Sequence, residues 1–464
     1  MNQHKETKNE NSSLIFYGGT GSVTGSNFML KTDAKVFLID CGLVQGSDEE
    51  EEKNWEDFAY NAHDVDVLFV THAHADHIGR IPKLVRDGFK GVIYSTDATR
   101  DLAGVMFDDA LAIARHEAKK KGKEHFYNEK DVEDTMGLWK TIDYHATTDL
   151  GEGFSVYFKD AGHVLGSVIV EISRNGKKIA FTGDLGNSPT PLLRPTEAVT
   201  DANYLLIESV YGDRDHKDVG SRTEDLKRII LETARRGGAL VIPAFSIERT
   251  QILLYELNEL VEAGEVPRMS VFLDSPLATR VTEIYKKHHN YFNETVQEDI
   301  KGGDAIFDFP GFQISETRDD SRRINSEPNP KIIIAGSGMS EGGRIMYHQK
   351  EYLSDQKSTM LIVGYQPVGG FGHALLNGAK EMHIFGEKVS VRAKIESIMS
   401  YSAHMQSSDL QEFAATAGES GVLEQVFVAM GEPKASLFLV QRLRDYFNLD
   451  AIAPEEGQSV EISF

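Results

Sequence analysis

At 464 residues the chain is too long for a single ordinary core, which predicts two or three domains. Its 40% hydrophobic and 26% charged residues are those of a globular protein, and no apolar stretch is long enough to span a bilayer as a helix. The net charge of −23 does not favour wholesale nucleic-acid binding, while leaving room for a bound cation and a local basic groove inside an acidic envelope.

The first dozen residues are polar and lack the apolar core of a signal peptide, so a cytoplasmic protein is expected. Residues 13–17 read as a strand running into Gly18-Gly19-Thr20-Gly21-Ser22-Val23-Thr24-Gly25. A dinucleotide-binding loop would open a helix, whereas Asn27–Lys31 and Val36–Ile39 read as further strands, so these glycines are assigned to turns. Asp40 ends the second of those strands beside Cys41, the only cysteine, which excludes intramolecular disulfides and suits a reducing compartment. The acidic run Asp48–Glu52 reads as a solvated loop, residues 65–70 as a buried strand, and residues 78–82 as a helix start.

Residues 98–121 have helical periodicity and end in Lys119-Lys120-Lys121, cations that suit a helix C-terminus. Strand signals resume at 155–158, 167–172 and 178–181, with a turn at Arg174-Asn175-Gly176. From Tyr204 the rhythm changes. Strands at 204–207, 239–242 and 270–273 alternate with helices at 222–235, 247–261 and 277–288, as in a parallel-sheet domain. Residues 290–320 read as irregular, 325–330 as a polar connection and Lys331–Ala335 as a buried strand, while Asp274 reads as an N-cap-like turn residue.

The chemistry is concentrated in Thr71-His72-Ala73-His74-Ala75-Asp76-His77-Ile78-Gly79-Arg80. His72 and His74 are two apart, so in an extended segment both leave one face and can meet one ion. Asp76 and His77 follow where the chain turns and can address a second position. His163, in a loop between two strands, and Asp184, directly after a strand, complete an inventory able to hold two ions with a carboxylate bridging. Gly338-Met339-Ser340-Glu341-Gly342 formally matches a serine nucleophile elbow, but the metal set already explains hydrolysis. Residues 336–343 read instead as a loop whose backbone at Gly338 approaches a substrate phosphate, Ser337 adding a hydroxyl and Arg249 and Arg344 a clamp.

These residues resemble those of metallo-β-lactamase-fold hydrolases of the β-CASP branch, which includes RNase J and the endonuclease that cuts pre-mRNA 3′ ends. Asp40, His72-His74-Asp76-His77, His163 and Asp184 are similar to the four superfamily motifs in order. Glu208, in Ile207-Glu208-Ser209-Val210-Tyr211-Gly212, and His404, in Tyr401-Ser402-Ala403-His404, resemble the branch-specific acidic and histidine motifs. Pro243-Ala244-Phe245-Ser246 with Arg249-Thr250-Gln251, and Gly336-Ser337-Gly338-Met339 with Gly342-Gly343-Arg344, also look like family signatures. One position departs: Met430, before Gly431-Glu432-Pro433, stands where the family has a histidine ligand of the second metal.

The resemblance implies an α/β protein: an αββα sandwich from residues 1–203, completed by 371–464, with an inserted parallel-sheet β-CASP domain at 204–370, in the compact bacterial form. It implies a zinc-dependent phosphodiester hydrolase that cleaves RNA as an endonuclease, a 5′ exonuclease or both. His72, His74 and His163 would hold the first Zn²⁺, Asp76 and His77 the second, with Asp184 between them and Asp76 and Asp40 counted in the catalytic set. Asp40 would orient a ligand histidine, and His404, oriented by Glu208, would protonate the leaving oxygen or donate to the phosphate. The soft thioether of Met430 predicts one firmly bound zinc and a weak second, with His348 or His373 as replacement donors. Single-stranded RNA is the expected partner, a homodimer is compatible with the chain, and no membrane is implied. The alternative readings are an RNA- or protein-binding homologue weakened by Met430, and a hydrolase of small phosphodiesters or esters.

Overall fold

The computed structural model describes residues 11–121, 124–216, 221–364, 366 and 369–464; the side chains of Lys119, Lys120 and Lys121 lie outside what it describes. The chain forms two compact units. One comprises the residues up to Ser188 with Pro195–Asp215 and His404–Phe464, the other Pro189–Arg194 with His216–Ala403.

Two seven-stranded sheets build the first unit. The first runs Ser459–Ser463, Asn11–Gly18, Asn27–Lys31, Val36–Ile39, Val67–Phe69, Val92–Ser95, Trp139–Thr141. The second runs Ala451–Ile452, Gln425–Ala429, Tyr204–Glu208, Lys177–Phe181, Val168–Arg174, Phe154–Asp160, Thr148–Gly151. Alternate residues of each strand turn inward. Leu14, Phe16, Phe28, Phe37 and Phe69 thereby meet Phe154, Phe158, Val170, Phe181 and Leu206 in one buried cluster. The opposite face of the second sheet, including Ile169, Ala180, Leu205, Ile207 and Val428, is covered by Leu410, Phe413, Leu439 and Leu443 of helices Ser407–Gly418 and Pro433–Phe447. Helix Asp97–Lys121 lies against strand Trp139–Thr141 of the first sheet. The result is the αββα sandwich expected.

Strand register positions the site. Val36–Ile39 and Val67–Phe69 are parallel with Ile39 opposite Phe69, so Asp40 and the Thr71 segment emerge side by side. Lys177–Phe181, Tyr204–Glu208 and Gln425–Ala429 are also parallel, Phe181 opposite Leu206 and Glu208 opposite Ala429. Asp184, Glu208 and Met430 therefore leave the same end of their sheet. Tyr204–Glu208 is thus a strand of the first unit, and the long segment of the second unit, His216–Ala403, follows it. Residues 371–403 likewise belong to the second unit, contributing helix Phe371–Leu376, the hairpin Glu381–Ile384 with Glu387–Ser390, and the strand Lys394–Ile398. The boundaries expected at 203/204 and 370/371 differ because an apolar strand carries no mark of which sheet receives it.

The second unit is built on six parallel strands in the order Phe312–Ile314, Ser270–Asp274, Lys331–Ala335, Ala239–Pro243, Thr359–Val363, Lys394–Ile398. Helices Arg222–Arg236, Arg249–Glu262 and Pro276–Lys287 fall where the rhythm put them. Residues 290–320 are more regular than expected: Asn293 caps Glu294–Gly302, and Thr317 forms a capping box on Arg318–Ile324. The second of these helices is so charged that it shows little apolar period. The run Asp48–Glu52 is also helical, capped by Ser47 and exposed throughout.

Asp274 is not the cap of the helix that follows; Ser275 is, accepting from the Ala278 N–H. Asp274 is fully buried, and its carboxylate accepts from Arg344 Nη1 at 2.7 Å and Ser321 Oγ at 2.6 Å and faces His348 Nε2 at 2.7 Å. Burial alone would raise this carboxyl, but His348, Ser321 and Arg344 hold it below the usual carboxylate range. Its stabilisation is therefore present above the unfolded value of about 4 and is lost as pH falls through the lower folded value. Asp274→Ala leaves His348 and Arg344 without their carboxylate and is expected to cost about 3–5 kcal/mol in urea unfolding at neutral pH. Stability of the variant should also fall less steeply on acidification than that of the parent.

Candidate metal centre

Asp40 follows its strand with φ of 57° and is buried. Its Oδ1 accepts from the Thr71 N–H at 2.8 Å, and its Oδ2 from Thr71 Oγ1 at 2.8 Å and Ser26 Oγ at 3.2 Å. The same Oδ2 lies 2.7 Å from His77 Nδ1. A carboxylate can only accept, so Nδ1 carries the proton and Nε2 presents its lone pair. Thr71 Oγ1, already donating to Asp40, also stands 3.1 Å from His72 Nδ1, which sets the tautomer of His72 in the same sense. Thr71 was not singled out in the sequence, although a hydroxyl residue directly before the first histidine was visible there.

Close backbone approach completes this half of the site. A Cβ on Gly42 would fall 1.6 Å from the Asp76 carbonyl oxygen, so only glycine lets the loop after Asp40 lie against residues 75–79. The Cys41 N–H then donates to His77 O at 2.9 Å and the Leu43 N–H to Ala75 O at 2.9 Å.

Four donors converge beyond this support. His72 Nε2 is 3.1 Å from His74 Nδ1, and His74 Nδ1 is 3.3 Å from His163 Nε2. Asp184 Oδ2 is 3.5 Å from both His72 Nε2 and His163 Nε2. Ligands about 2.0–2.2 Å from a tetrahedral ion stand about 3.3–3.5 Å from one another, so this spacing fits a divalent ion. Asp76, His77 and Asp184 form a second group. Here His77 Nε2 and Asp184 Oδ1 are 3.4 Å apart, and both are buried with no hydrogen-bond partner among the described residues. Two orphaned atoms aimed at one point are costly in a protein interior and are what a cation satisfies. The donors present fit a metal.

Charge within the cluster follows the same logic. Burial and the neighbouring His77 drive His72 well below its ordinary value. Burial opposes a charge on His77, but Asp184 and Asp40 lift it well above. Burial, the first cause, raises Asp76 to about 6, with Asp184 adding to the rise. His404 Nδ1 lies 3.4 Å from Glu208 Oε2 and 3.8 Å from Asp184 Oδ2. Glu208 is fully buried, its Oε1 accepting from the Leu185 N–H at 2.6 Å. Burial would depress His404, yet Glu208 and then Asp184 raise it to about 9.

Met430 is buried in the intersheet cluster with φ of 47°. Its N–H donates to Gly19 O at 2.6 Å, and a Cβ on Gly19 would meet its Sδ at 2.5 Å. Its thioether is therefore packed. His348 is committed to Asp274 in the second unit, and His373 lies on helix Phe371–Leu376 beside Asn377.

The residues named for phosphate also belong to the second unit. Arg344 is spent on Asp274 and on the Ser315 and Glu316 carbonyl oxygens, each at 2.8 Å, which makes it a structural cation and removes it as a free clamp. Arg249 is buried with its guanidinium 5.9 Å from the Tyr401 ring centroid. Ser337 Oγ donates to Glu341 O, and a Cβ on Gly338 would lie 2.5 Å from the Phe245 ring.

Comparison with known proteins agrees with this picture. Residues 21–236 match the metallo-beta-lactamase superfamily, 250–375 a Beta-Casp domain, and 388–454 a Zn-dependent metallo-hydrolase RNA specificity domain. Ribonuclease TTHA0252 of Thermus thermophilus is 34% identical, with 90% of this chain and 95% of that protein covered. Transcription termination factor FttA of Methanocaldococcus jannaschii is 31% identical over 97% of this chain and 71% of its own length. An RNase J-like protein of the same archaeon is 29% identical, with 97% and 99% covered. A protein of unknown function from Enterococcus faecalis shares the fold at a TM-score of 0.57 and 14% identity, covering 97% of this chain and all of that one. With a relative at 34% identity over nearly its whole length and a metal-ready donor set at the ends of its strands, the chain belongs to the metallo-β-lactamase superfamily, in its Beta-Casp group, and is a metal-dependent hydrolase.

Proposed function

We propose that the protein is a zinc-dependent ribonuclease hydrolysing phosphodiester bonds of single-stranded RNA. The observation that carries this reading is the His404–Glu208 pair, 3.4 Å apart, beside the donor set. A site that only bound metal would not need it. Names of relatives that are ribonucleases, and the RNA specificity domain at residues 388–454, support RNA as substrate.

His72, His74, His163 and Asp184 would hold the first ion, and Asp76, His77 and Asp184 the second. The nitrogen-rich first set favours Zn²⁺, which when bound supplies Lewis acidity and lowers the pKa of water. Asp40 and Thr71 keep the ring nitrogens of His77 and His72 turned toward the centre. Glu208, 3.4 Å from His404 Nδ1, would favour a proton on that nitrogen, leaving Nε2–H to protonate the leaving oxygen as water adds to phosphorus and the P–O bond breaks. The products are an alcohol and a phosphate monoester. Arg249, Ser337 and Gly338 are the candidate contacts to the RNA backbone; Arg344 braces their loop through Asp274.

Labelled single-stranded RNA, a generic phosphodiester and a His74→Ala variant test the reading together. The zinc-loaded parent should cleave RNA and His74→Ala should not; turnover of the small ester alone, or RNA binding without cleavage, overturns it. His404→Ala should lower kcat about 10²–10⁴-fold with metal content unchanged. Metal titration should give one tight ion per chain, because the second set has only Asp76, His77 and the shared Asp184. Met430→His should add a second, since histidine tolerates the positive φ of 47° better than most side chains. Two equally tight ions in the parent would defeat that assignment.

A further inference from the structure

Beside the glycine loop at residues 18–25, within the first unit, lies a cavity of about 200 Å³ bordered by Tyr17, Thr20, Phe58, Tyr60 and Arg80. None of the metal-donor histidines or carboxylates lines it. Arg80 is only 9% exposed. Its Nε donates to Gly42 O at 2.6 Å, and its guanidinium stands 5.3 Å from the Phe58 ring centroid. Among the described residues it makes no ion pair, and its two terminal nitrogens have no acceptor. The Arg80 side chain is thus mostly buried while its terminal nitrogens stay open to the cavity, with the Phe58 ring beside them. Thr20 Oγ1 is buried and also lacks a partner.

Three aromatic rings stand beside these donors. Tyr17 and Tyr60 have ring centroids 4.8 Å apart, and Phe58 and Tyr60 are stacked at 5.3 Å. All three are only partly buried. The carboxylates at the rim do not fill the role of counter-ion to Arg80. Glu50 accepts from Ser47 as a helix cap, Glu456 pairs with Lys53 at 3.2 Å, and Glu56 and Asp57 are exposed.

A fork of cationic N–H donors, a free hydroxyl and aromatic faces in one small cavity recognise a phosphate attached to a flat ring system. We propose that this cavity binds one nucleoside monophosphate unit, its phosphate on Arg80 and Thr20 and its base against the rings of Tyr17, Phe58 and Tyr60. The unit comes either from a free nucleotide or from one residue of a strand. This site is independent of the nuclease reading, because it is separate from the metal donors and binding is measured without turnover.

Calorimetric titration of the metal-loaded protein with adenosine 5′-monophosphate, inorganic phosphate and adenosine tests it. Adenosine 5′-monophosphate should bind more tightly than either part alone. Phe58→Ala, Thr20→Val and Arg80→Lys should each weaken it about tenfold. Phosphate held at the metal centre would be indifferent to Phe58→Ala and Thr20→Val, so affinity unchanged in those two variants overturns the proposal. So does absence of binding by the parent up to about 10 mM. If Arg80→Lys fails to fold, Thr20→Val alone keeps the test decisive. Displacement by a short oligodeoxyadenylate supports the strand as the source, and its failure to displace supports the free nucleotide.

Discussion

The carboxylate of Asp40 holds the site together. It gathers the Thr71 N–H, two hydroxyls and one imidazole nitrogen on two oxygens, all in the interior. The four bonds join three separate pieces of chain to Asp40. Ser26 belongs to the turn before the second strand, Thr71 to the end of the fourth strand's run, and His77 to the short helix Ala75–Ile78. A charged acceptor with every donor supplied is stable in low dielectric, whereas the loss of any donor would leave charge uncompensated. The support is therefore rigid because it is charged. His77 receives its tautomer from this carboxylate directly, and His72 through the Thr71 hydroxyl.

Beyond that support the protein does the opposite, and leaves groups unsatisfied on purpose. Asp184 is 2% exposed, yet its Oδ1 has no hydrogen-bond partner among the described residues, and neither has His77 Nε2. Acidic and imidazole groups are crowded so that three carboxylates, Asp76, Asp184 and Glu208, lie around shared neighbours. Burial raises both Asp76 and Glu208, which measures the demand of the cluster for positive charge. His77 answers that demand beside Asp76, and His404, raised to about 9 by Glu208 and Asp184, answers it beside Glu208. The parallel strand register matters here, because Asp184, Glu208 and the Asp40–Thr71 pair reach one end of the sandwich only when their strands start level.

Much of this was legible before the fold was known, for an identifiable reason. Metal ligands must be particular residue types at short spacing, so the run from His72 to His77 is conspicuous in a bare sequence. Apolar runs such as Lys331–Ala335 matched their strands to the residue. What was not legible concerns assignment in space. Tyr204–Glu208 carries the same apolar pattern whether it opens an insert or continues a sheet, and only pairing with Lys177–Phe181 and Gln425–Ala429 decides. Asp274 before Ser275-Pro276 has the local chemistry of a cap, and its commitment to Arg344 and His348 depends on residues about 70 positions away. Arg344 looked like a phosphate clamp for the same reason, since a sequence shows a charge without showing its partner.

Met430 is held in place by its backbone as much as by its side chain. Its backbone does what the turn requires: the N–H donates to Gly19 O and the carbonyl accepts from the Ser209 N–H. The left-handed φ serves the fold, and the side chain fills space against Gly19. Thioether sulfur is a weak ligand for Zn²⁺, so Met430 offers the cluster neither a strong donor nor a competing charge. The first donor group contains neither Met430 nor anything that depends on it. Asp184 belongs to both groups; burial opposes its charge, but His77 and His72 hold its carboxyl well below the usual carboxylate range, so it is an ionised acceptor shared between them. On that reasoning Met430 bears on the second donor group and leaves the first as it is.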